Sequence, residues 1–282
     1  MKRLWAIIAI LLVMAVVKWP LEGSILQDRK ANRYGRGIFN LDVRKQLPQL
    51  GAIALLGGFR GVVSDFVWIA AHGSWERQEW FKMKQYFNLV TALQPMSTLY
   101  WETSAWHMAW NISYAVSQDP REPRAAKREL ARRQWIEEGR KFLEEGIKNV
   151  PEKYDLYFHL GWLIMQKQDY IDADPNTGYP GKHFVEAAQW FKLTWQKFPN
   201  EAPTYVSRMA GHCYMKAAEA TTSDPEREKK YWQMGRDWWC SLWTEDHAKH
   251  PDQMWNKIEE WGRQCEAHLS LPANQLCFPP KT

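Results

Sequence analysis

Residues 157–164 read YFHLGWLI, and residues 187–199 read AAQWFKLTWQKFP. The first stretch has a small residue, Gly161, among large apolar ones, and the second has Phe191 eight positions before Pro199. A small residue lets two helices approach closely, and an aromatic ring fills the space beside it. A proline then ends the pair because it cannot continue a helix. The two stretches therefore predict a pair of packed helices.

This spacing recurs along the chain. Four times a large residue precedes a proline by eight positions: Phe87 and Pro95, Leu143 and Pro151, Phe191 and Pro199, Trp243 and Pro251. A small residue stands earlier in each unit: Ala71, Ala105, Gly161 and Gly211. The combination matches the pattern of tetratricopeptide (TPR) repeats. We therefore predict an all-α protein with a TPR-like α-solenoid of four helix pairs over 62–270. A capping helix near 252–268 closes it, and a C-terminal tail, 271–282, follows.

The later repeats are longer than the first. The proline follows the small residue by 24 positions in the first unit and by 46, 38 and 40 positions in the others. We expect the added residues between the helices of each pair, in Ser117–Pro123, Asp172–His183 and Thr221–Arg227. Insertions at equivalent turns would form one edge of the solenoid. That edge is either a binding side or a surface that tolerates insertions.

The N-terminus has the layout of a signal sequence. A short basic start precedes fourteen apolar residues, Leu4–Val17, and no small-x-small cleavage site follows. We predict an uncleaved signal anchor over residues 1–20, with Trp5, Lys18 and Trp19 suited to the membrane interface. A cleaved signal peptide is the alternative.

Positive charge is concentrated near this end of the chain. Residues 1–50 contain nine Lys/Arg and three Asp/Glu, whereas the whole chain has a net charge of only +5. We predict a basic juxtamembrane segment over 21–61 and no nucleic-acid binding by the repeats. Because Arg60 and Asp65 interrupt the apolar stretch 51–73, we expect no second membrane span there.

Three strings resemble a group of bacterial envelope proteins with an N-terminal hydrophobic segment and TPR-like repeats. They are LGGFRG at 56–61, LQP at 93–95 and AWHMAWNIS at 105–113. The resemblance covers roughly residues 50–200, and it implies a membrane-tethered helical-repeat protein without assigned catalytic residues. Together with the signal-like start, it predicts a single-pass protein of the bacterial inner membrane with a periplasmic repeat domain.

One stretch has the composition of a calcium loop. Asp172, Asp174 and Asn176 supply oxygen ligands at alternate positions. An EF-hand would have glycine and glutamate where Thr177 and His183 stand. A turn-rich insertion explains the same residues, since Asp, Asn and Gly are turn formers. Apart from calcium as a minor hypothesis, we expect no metal and no cofactor.

The four cysteines form no CxxC pair and do not fit a zinc site. In an exported domain, Cys265 could bond to Cys277 and fasten the tail. Cys213 could bond to Cys240, and this disulfide would link the two helices of the fourth pair. Buried free thiols are the alternative.

Two compositional features have two interpretations each. The eighteen tryptophans either fill the core or form an aromatic trough for sugars or proline-rich peptides. The run 121–141, with eight basic and four acidic residues, is either a solvated helix face or a docking site for an acidic partner or lipid head groups. His107, near Trp106 and Trp110, is interpreted as a hydrogen-bonded core histidine.

The sequence contains no catalytic triad pattern, phosphate loop or HExxH motif, so we do not expect an enzyme. We predict a non-enzymatic, membrane-tethered scaffold or accessory subunit that binds another envelope protein or a membrane complex on its concave face. The alternative is an aromatic-rich module that binds envelope glycan or peptidoglycan. An enzyme of unrecognised type is a third, weaker possibility.

Overall fold

A computed structural model of the chain describes residues 60–174 and 176–278. The predicted anchor over 1–20, with its interface residues, and nearly all of the segment 21–61 lie outside these residues. Among the helices that are described, none has the length and apolar character needed to cross a bilayer.

All regular structure in the described residues is helical, which confirms the predicted all-α class. The α-helices are α1 Arg60–Glu76, α2 Trp80–Leu93, α3 Thr98–Trp106, α4 Ser113–Ser117, α5 Ala125–Asn149, α6 Tyr154–Lys167, α7 Lys182–Lys197, α8 Tyr205–Ala220, α9 Pro225–Ser241 and α10 Trp255–Leu269. A π-helical segment, His107–Ile112, joins α3 to α4, and a second one, Leu242–Asp246, extends α9. Short 3₁₀ turns occupy Asp169–Ala173 and Ala273–Gln275.

The chain forms two compact units. The first contains the described residues 60–104 and 148–150, and the second contains 105–147 and the residues from 151 onward. In the first unit α1 packs against α2, and the ring of Trp68 lies 5.6 Å from that of Phe87. Ala71 and Phe87 are buried, as their place in the repeat pattern predicts.

In the second unit each helix from α6 to α10 packs against the next helix along the chain. Two of the predicted small residues, Ala105 and Gly161, lie at close contacts between helices. A Cβ added to Gly139 would lie 2.8 Å from the carbonyl oxygen of Ala105, and the ring of Phe191 lies beside Gly161. This packing explains why the pattern alternates small and aromatic residues.

The fourth pair departs from the predicted arrangement. Trp239, which is fully buried, lies against Gly211, whereas in the third pair the residue eight positions before the proline, Phe191, lies beside the glycine. Trp243 is only half-buried, and its ring contacts those of Trp255 and Phe278. A π-helical segment begins at Leu242, after Trp239 and immediately before Trp243.

Helix α10 confirms the predicted capping helix, and the described part of the tail is fastened to it. Phe278 is buried beside Gly262. The carboxylate of Glu266 accepts hydrogen bonds from the backbone N–H of Cys277 at 2.6 Å and of Phe278 at 3.4 Å. The tail therefore covers the end of the second unit.

The disulfide joins Cys240 to Cys277, so both predicted pairings were wrong. Cys213 and Cys265 are buried free thiols, as the alternative proposed. Burial raises the pKa of each of these thiols to about 12. The path of the tail brings Cys277 to Cys240 on α9.

The added residues lie only partly in the predicted turns. In the third pair they form the loop 168–181, as expected. In the second pair much of the addition is helical, because α5 has 25 residues. In the fourth pair the turn between α8 and α9 is short, and the π-helical segment lengthens the second helix instead.

Candidate functional site

The first helices of successive pairs lie side by side in the second unit. The amino group of Lys167 on α6 lies 5.3 Å from the centre of the Trp110 ring. The rings of Phe158 and Tyr205 join α6 to α8, and those of His212 and Trp261 join α8 to α10. We call the surface that these helices share the first-helix face, defined by Trp110, Phe158, Trp162, Tyr205, Arg208, His212, Lys216 and Trp261.

An aromatic patch of Phe158, Trp162 and Tyr205 lies at the centre of this face. The ring of Phe158 stacks on Trp162 at 6.1 Å between centroids and meets Tyr205 edge-on at 5.5 Å. Phe158 is held from below by Phe191, at 5.6 Å. Trp162 is 36% exposed and Tyr205 is 41% exposed. Two rings that are accessible to solvent are therefore supported by a third, half-buried ring that contacts the buried Phe191.

Cationic side chains continue the face along α8. Arg208 and Lys216 follow Tyr205 at helical spacing on the same side of the helix. The guanidinium of Arg208 donates a hydrogen bond to the side-chain oxygen of Gln253, which in turn donates from its amide to Ser207 Oγ at 2.9 Å. The arginine is thus held in one orientation beside the aromatic patch.

His212 on this face, and His159 next to Phe158, have a lowered pKa. Burial lowers the pKa of His159, although the carboxylate of Asp155 partly opposes the change. Burial also lowers the pKa of His212, and the charges of Arg208 and Lys216 add to the effect. Both imidazoles are therefore neutral at neutral pH, and the positive charge of the face comes from its lysine and arginine residues.

The loop 168–181 contacts α9 on one side and α5 on the other. Toward α9, the guanidinium of Arg227 lies 4.4 Å from the centre of the Tyr179 ring, and these residues line a cleft of about 460 Å³. Toward α5, the hydroxyl of Tyr170 donates to Glu137 at 2.5 Å. Two of the three predicted insertions therefore meet at one edge, in contacts that are mostly polar.

The three candidate calcium ligands lie in this loop. Asp172 accepts hydrogen bonds from the backbone N–H of Gly181 at 2.8 Å and of His183 at 2.9 Å. Asp174 accepts from the backbone N–H of Asn176 at 2.7 Å, and this bond is the main cause of its lowered pKa. These bonds match the turn interpretation. In the part of the chain that the structure describes, no cluster of three or more His, Cys, Asp or Glu side chains could hold a metal ion.

The basic run 121–141 is largely paired within itself. Glu129 accepts hydrogen bonds from Arg132 and Arg133, each at 2.7 Å, which lowers its pKa to about 2. Arg140 is half-buried and donates to Glu144 at 2.8 Å and to Glu186 at 2.6 Å, so it ties α5 to α7. These pairs favour the interpretation as a solvated helix face with one structural arginine.

Six of the sixteen tryptophans in the described residues lie in the protein interior, and Trp75 is exposed at 39%. The buried tryptophans are Trp101, Trp135, Trp195, Trp232, Trp238 and Trp239. Trp106 and Trp162 are exposed, at 48% and 36%. His107 is half-buried, and its Nδ1 lies 3.0 Å from the side-chain nitrogen of Asn111, as expected of a hydrogen-bonded histidine.

Phe158, Tyr205 and Arg208 were not among the residues predicted from the sequence to form a site. A usable signal was present, because Phe158 and Arg208 each stand three residues before the small residue of their repeat, Gly161 and Gly211. No known protein family matches this chain, and no curated protein is significantly similar to it. The resemblance to TPR-like envelope proteins stays a prediction.

Proposed function

We propose that this chain is a membrane-tethered, TPR-like scaffold that binds a segment of another protein on its first-helix face. The observation that carries the proposal is the aromatic patch, whose two accessible rings are fixed by Phe158. Aromatic and arginine side chains that are held rigid contribute most to protein binding, because little conformational entropy is lost when the partner arrives.

The surroundings of the patch support a protein segment as ligand. Arg208 and Lys216 extend the apolar surface with donors that suit carboxylate or carbonyl oxygens of a peptide. A tether through residues 1–20 would raise the effective concentration of the scaffold for a partner at the same membrane. The proposed partner is therefore another protein of the envelope or a subunit of a membrane complex.

Envelope glycan is the second candidate ligand. The observation in its favour is the nearly parallel stack of Phe158 and Trp162, at 28°, since an exposed aromatic face suits a sugar ring. The six buried tryptophans cannot contact a glycan, so the tryptophan excess supports this candidate only through the rings that are accessible to solvent. Retention of the protein on peptidoglycan or envelope polysaccharide tests it, and the scaffold proposal predicts no retention.

Co-purification in mild detergent tests the scaffold proposal. We expect Trp162→Ala and Tyr205→Ala each to weaken partner capture by about tenfold or more, as truncation of an interface hot spot does. Leu193→Ala is the matched control, because Leu193 is 42% exposed on a second helix, α7. Capture that the two aromatic substitutions leave unchanged would contradict the proposed site. A chain that purifies alone as a monomer under several conditions would contradict the subunit role.

A further inference from the structure

Helix α1 carries a line of exposed apolar side chains. Val62, Phe66 and Ile69 are 51%, 68% and 65% exposed. Their spacing of four and three residues places them along one side of the helix. The side of α1 that carries Ser64, Ala71 and Ser74 is buried. We call Val62, Phe66 and Ile69 the α1 stripe.

Apolar exposure is concentrated in the first unit. Of the large apolar side chains in the described residues, Phe66, Ile69, Phe81, Leu99 and Tyr114 are more than 60% exposed. Four of these five lie in the first unit, which holds only residues 60–104 and 148–150 of the described chain. An apolar surface of this kind marks a place where another component binds.

The sequence before α1 indicates what that component is. Residues 51–59 read GAIALLGGF and contain no charge, and Leu55 and Phe59 stand seven and three positions before Val62. Residues 1–50 contain nine Lys/Arg and three Asp/Glu. Apolar residues at helical spacing next to a basic segment suit the surface of a bilayer with anionic head groups.

Acidic groups near the stripe have partners within the first unit. The carboxylate of Asp65 accepts a hydrogen bond from the hydroxyl of Tyr100 at 3.4 Å. Glu76 pairs with His72 at 3.6 Å. Each carboxylate therefore has a partner on the protein.

We propose that α1 lies in the interfacial layer of the membrane, with the α1 stripe facing the acyl chains. The inference rests on the proposed membrane tether but not on the partner site of the first-helix face. The tether brings the first unit to the bilayer, and the stripe then fixes which side of that unit faces the lipid.

Fluorescence quenching of the full-length chain in vesicles of phosphatidylcholine and phosphatidylglycerol tests the proposal. A bimane probe is attached at Phe66→Cys or Ile69→Cys, with Gln85→Cys and Asn88→Cys on the exposed side of α2 as matched controls. The native cysteines are buried or in the disulfide, and the labelled parent chain supplies the background. We expect nitroxide-bearing lipid to quench positions 66 and 69 about threefold more than 85 and 88, because an interfacial helix buries its apolar face about 5–10 Å deep. Aqueous iodide should show the opposite order.

Three results would overturn the proposal. Equal quenching by iodide at all four positions would mean that the stripe faces water. Protection of positions 66 and 69 from both quenchers would mean that protein covers the stripe, either the preceding segment or a second copy. A chain that does not float with vesicles in a density gradient would contradict the tether as well. If the chain floats and the stripe stays unquenched, only the docking of α1 fails.

Discussion

Replacement of Gly211 by alanine tests the helix packing most sharply. A Cβ at this position would lie 2.1, 2.4 and 2.5 Å from three ring carbons of Trp239. The Trp239 ring is fully buried, so it has little room to move. The backbones of α8 and α9 must therefore separate, or the tryptophan must leave its position.

The magnitude follows from two opposing effects. Inserting a methyl group into a filled core costs about 1–3 kcal/mol. Alanine in place of glycine within a helix stabilises the helix by about 1 kcal/mol. Gly235→Ala is the control, because a Cβ there would meet its neighbours at 3.4 Å or more while the helix gains the same propensity. We expect Gly211→Ala to destabilise the protein and Gly235→Ala to stabilise it, with a difference of about 1–3 kcal/mol between them.

Thermal and urea unfolding of both variants in mild detergent measure this difference. For a protein of this size, 1 kcal/mol corresponds to a shift in Tm of about 2–4 °C. The double variant Gly211→Ala/Trp239→Phe should recover part of the loss, because the smaller ring leaves space for the methyl group. Equal stability of Gly211→Ala and Gly235→Ala would refute the close approach of α8 and α9 at this point.

Three further predictions concern pH, the tail and calcium. Burial lowers the pKa of His159 and His212 below the ordinary value of 6.5. Below pH 6.5 the unfolded chain therefore binds more protons than the folded chain, and the urea midpoint should fall between about pH 6.5 and pH 5. A double His→Gln variant should lose this dependence, and an unchanged midpoint in the wild-type chain would contradict it. Cys277→Ser should expose the tail near Phe278 to proteolysis, whereas Cys213→Ser should not; equal digestion of both variants would show that the disulfide does not hold the tail. Backbone N–H groups already hydrogen-bond the carboxylate of Asp172. Calorimetric titration with calcium should therefore give no heat, and calcium should not change the Tm. Saturable binding would restore the calcium hypothesis.

The packed pairs were predictable because helix geometry fixes their spacing. Gly161 and Phe191 face each other because each stands at a set number of residues along a regular helix. In the fourth pair Trp239, and not Trp243, lies against Gly211. The chain also forms a π-helical segment from Leu242, for which the sequence carries no local signal.

Features that depend on how distant segments meet could not be derived in this way. The partner of Cys240 depends on the path of the tail across α9, and four cysteines allow three pairings. The place of each aromatic-patch residue along its own helix follows from its distance in sequence to Gly161 or Gly211. That Phe158 meets Tyr205 depends on the rotation of α6 against α8, which no spacing within one helix determines.

Photo-crosslinking in the native host tests the central claim that the first-helix face binds a protein segment. A benzophenone amino acid is placed at Trp162 or Tyr205, and at Gln189 or Gln196 on the exposed side of α7 as controls. At Trp162 and Tyr205 we expect a discrete adduct, which protease degrades and glycan hydrolase does not. At the two control positions we expect no such adduct. An adduct that only glycan hydrolase removes, or the same adducts at all four positions, would contradict it.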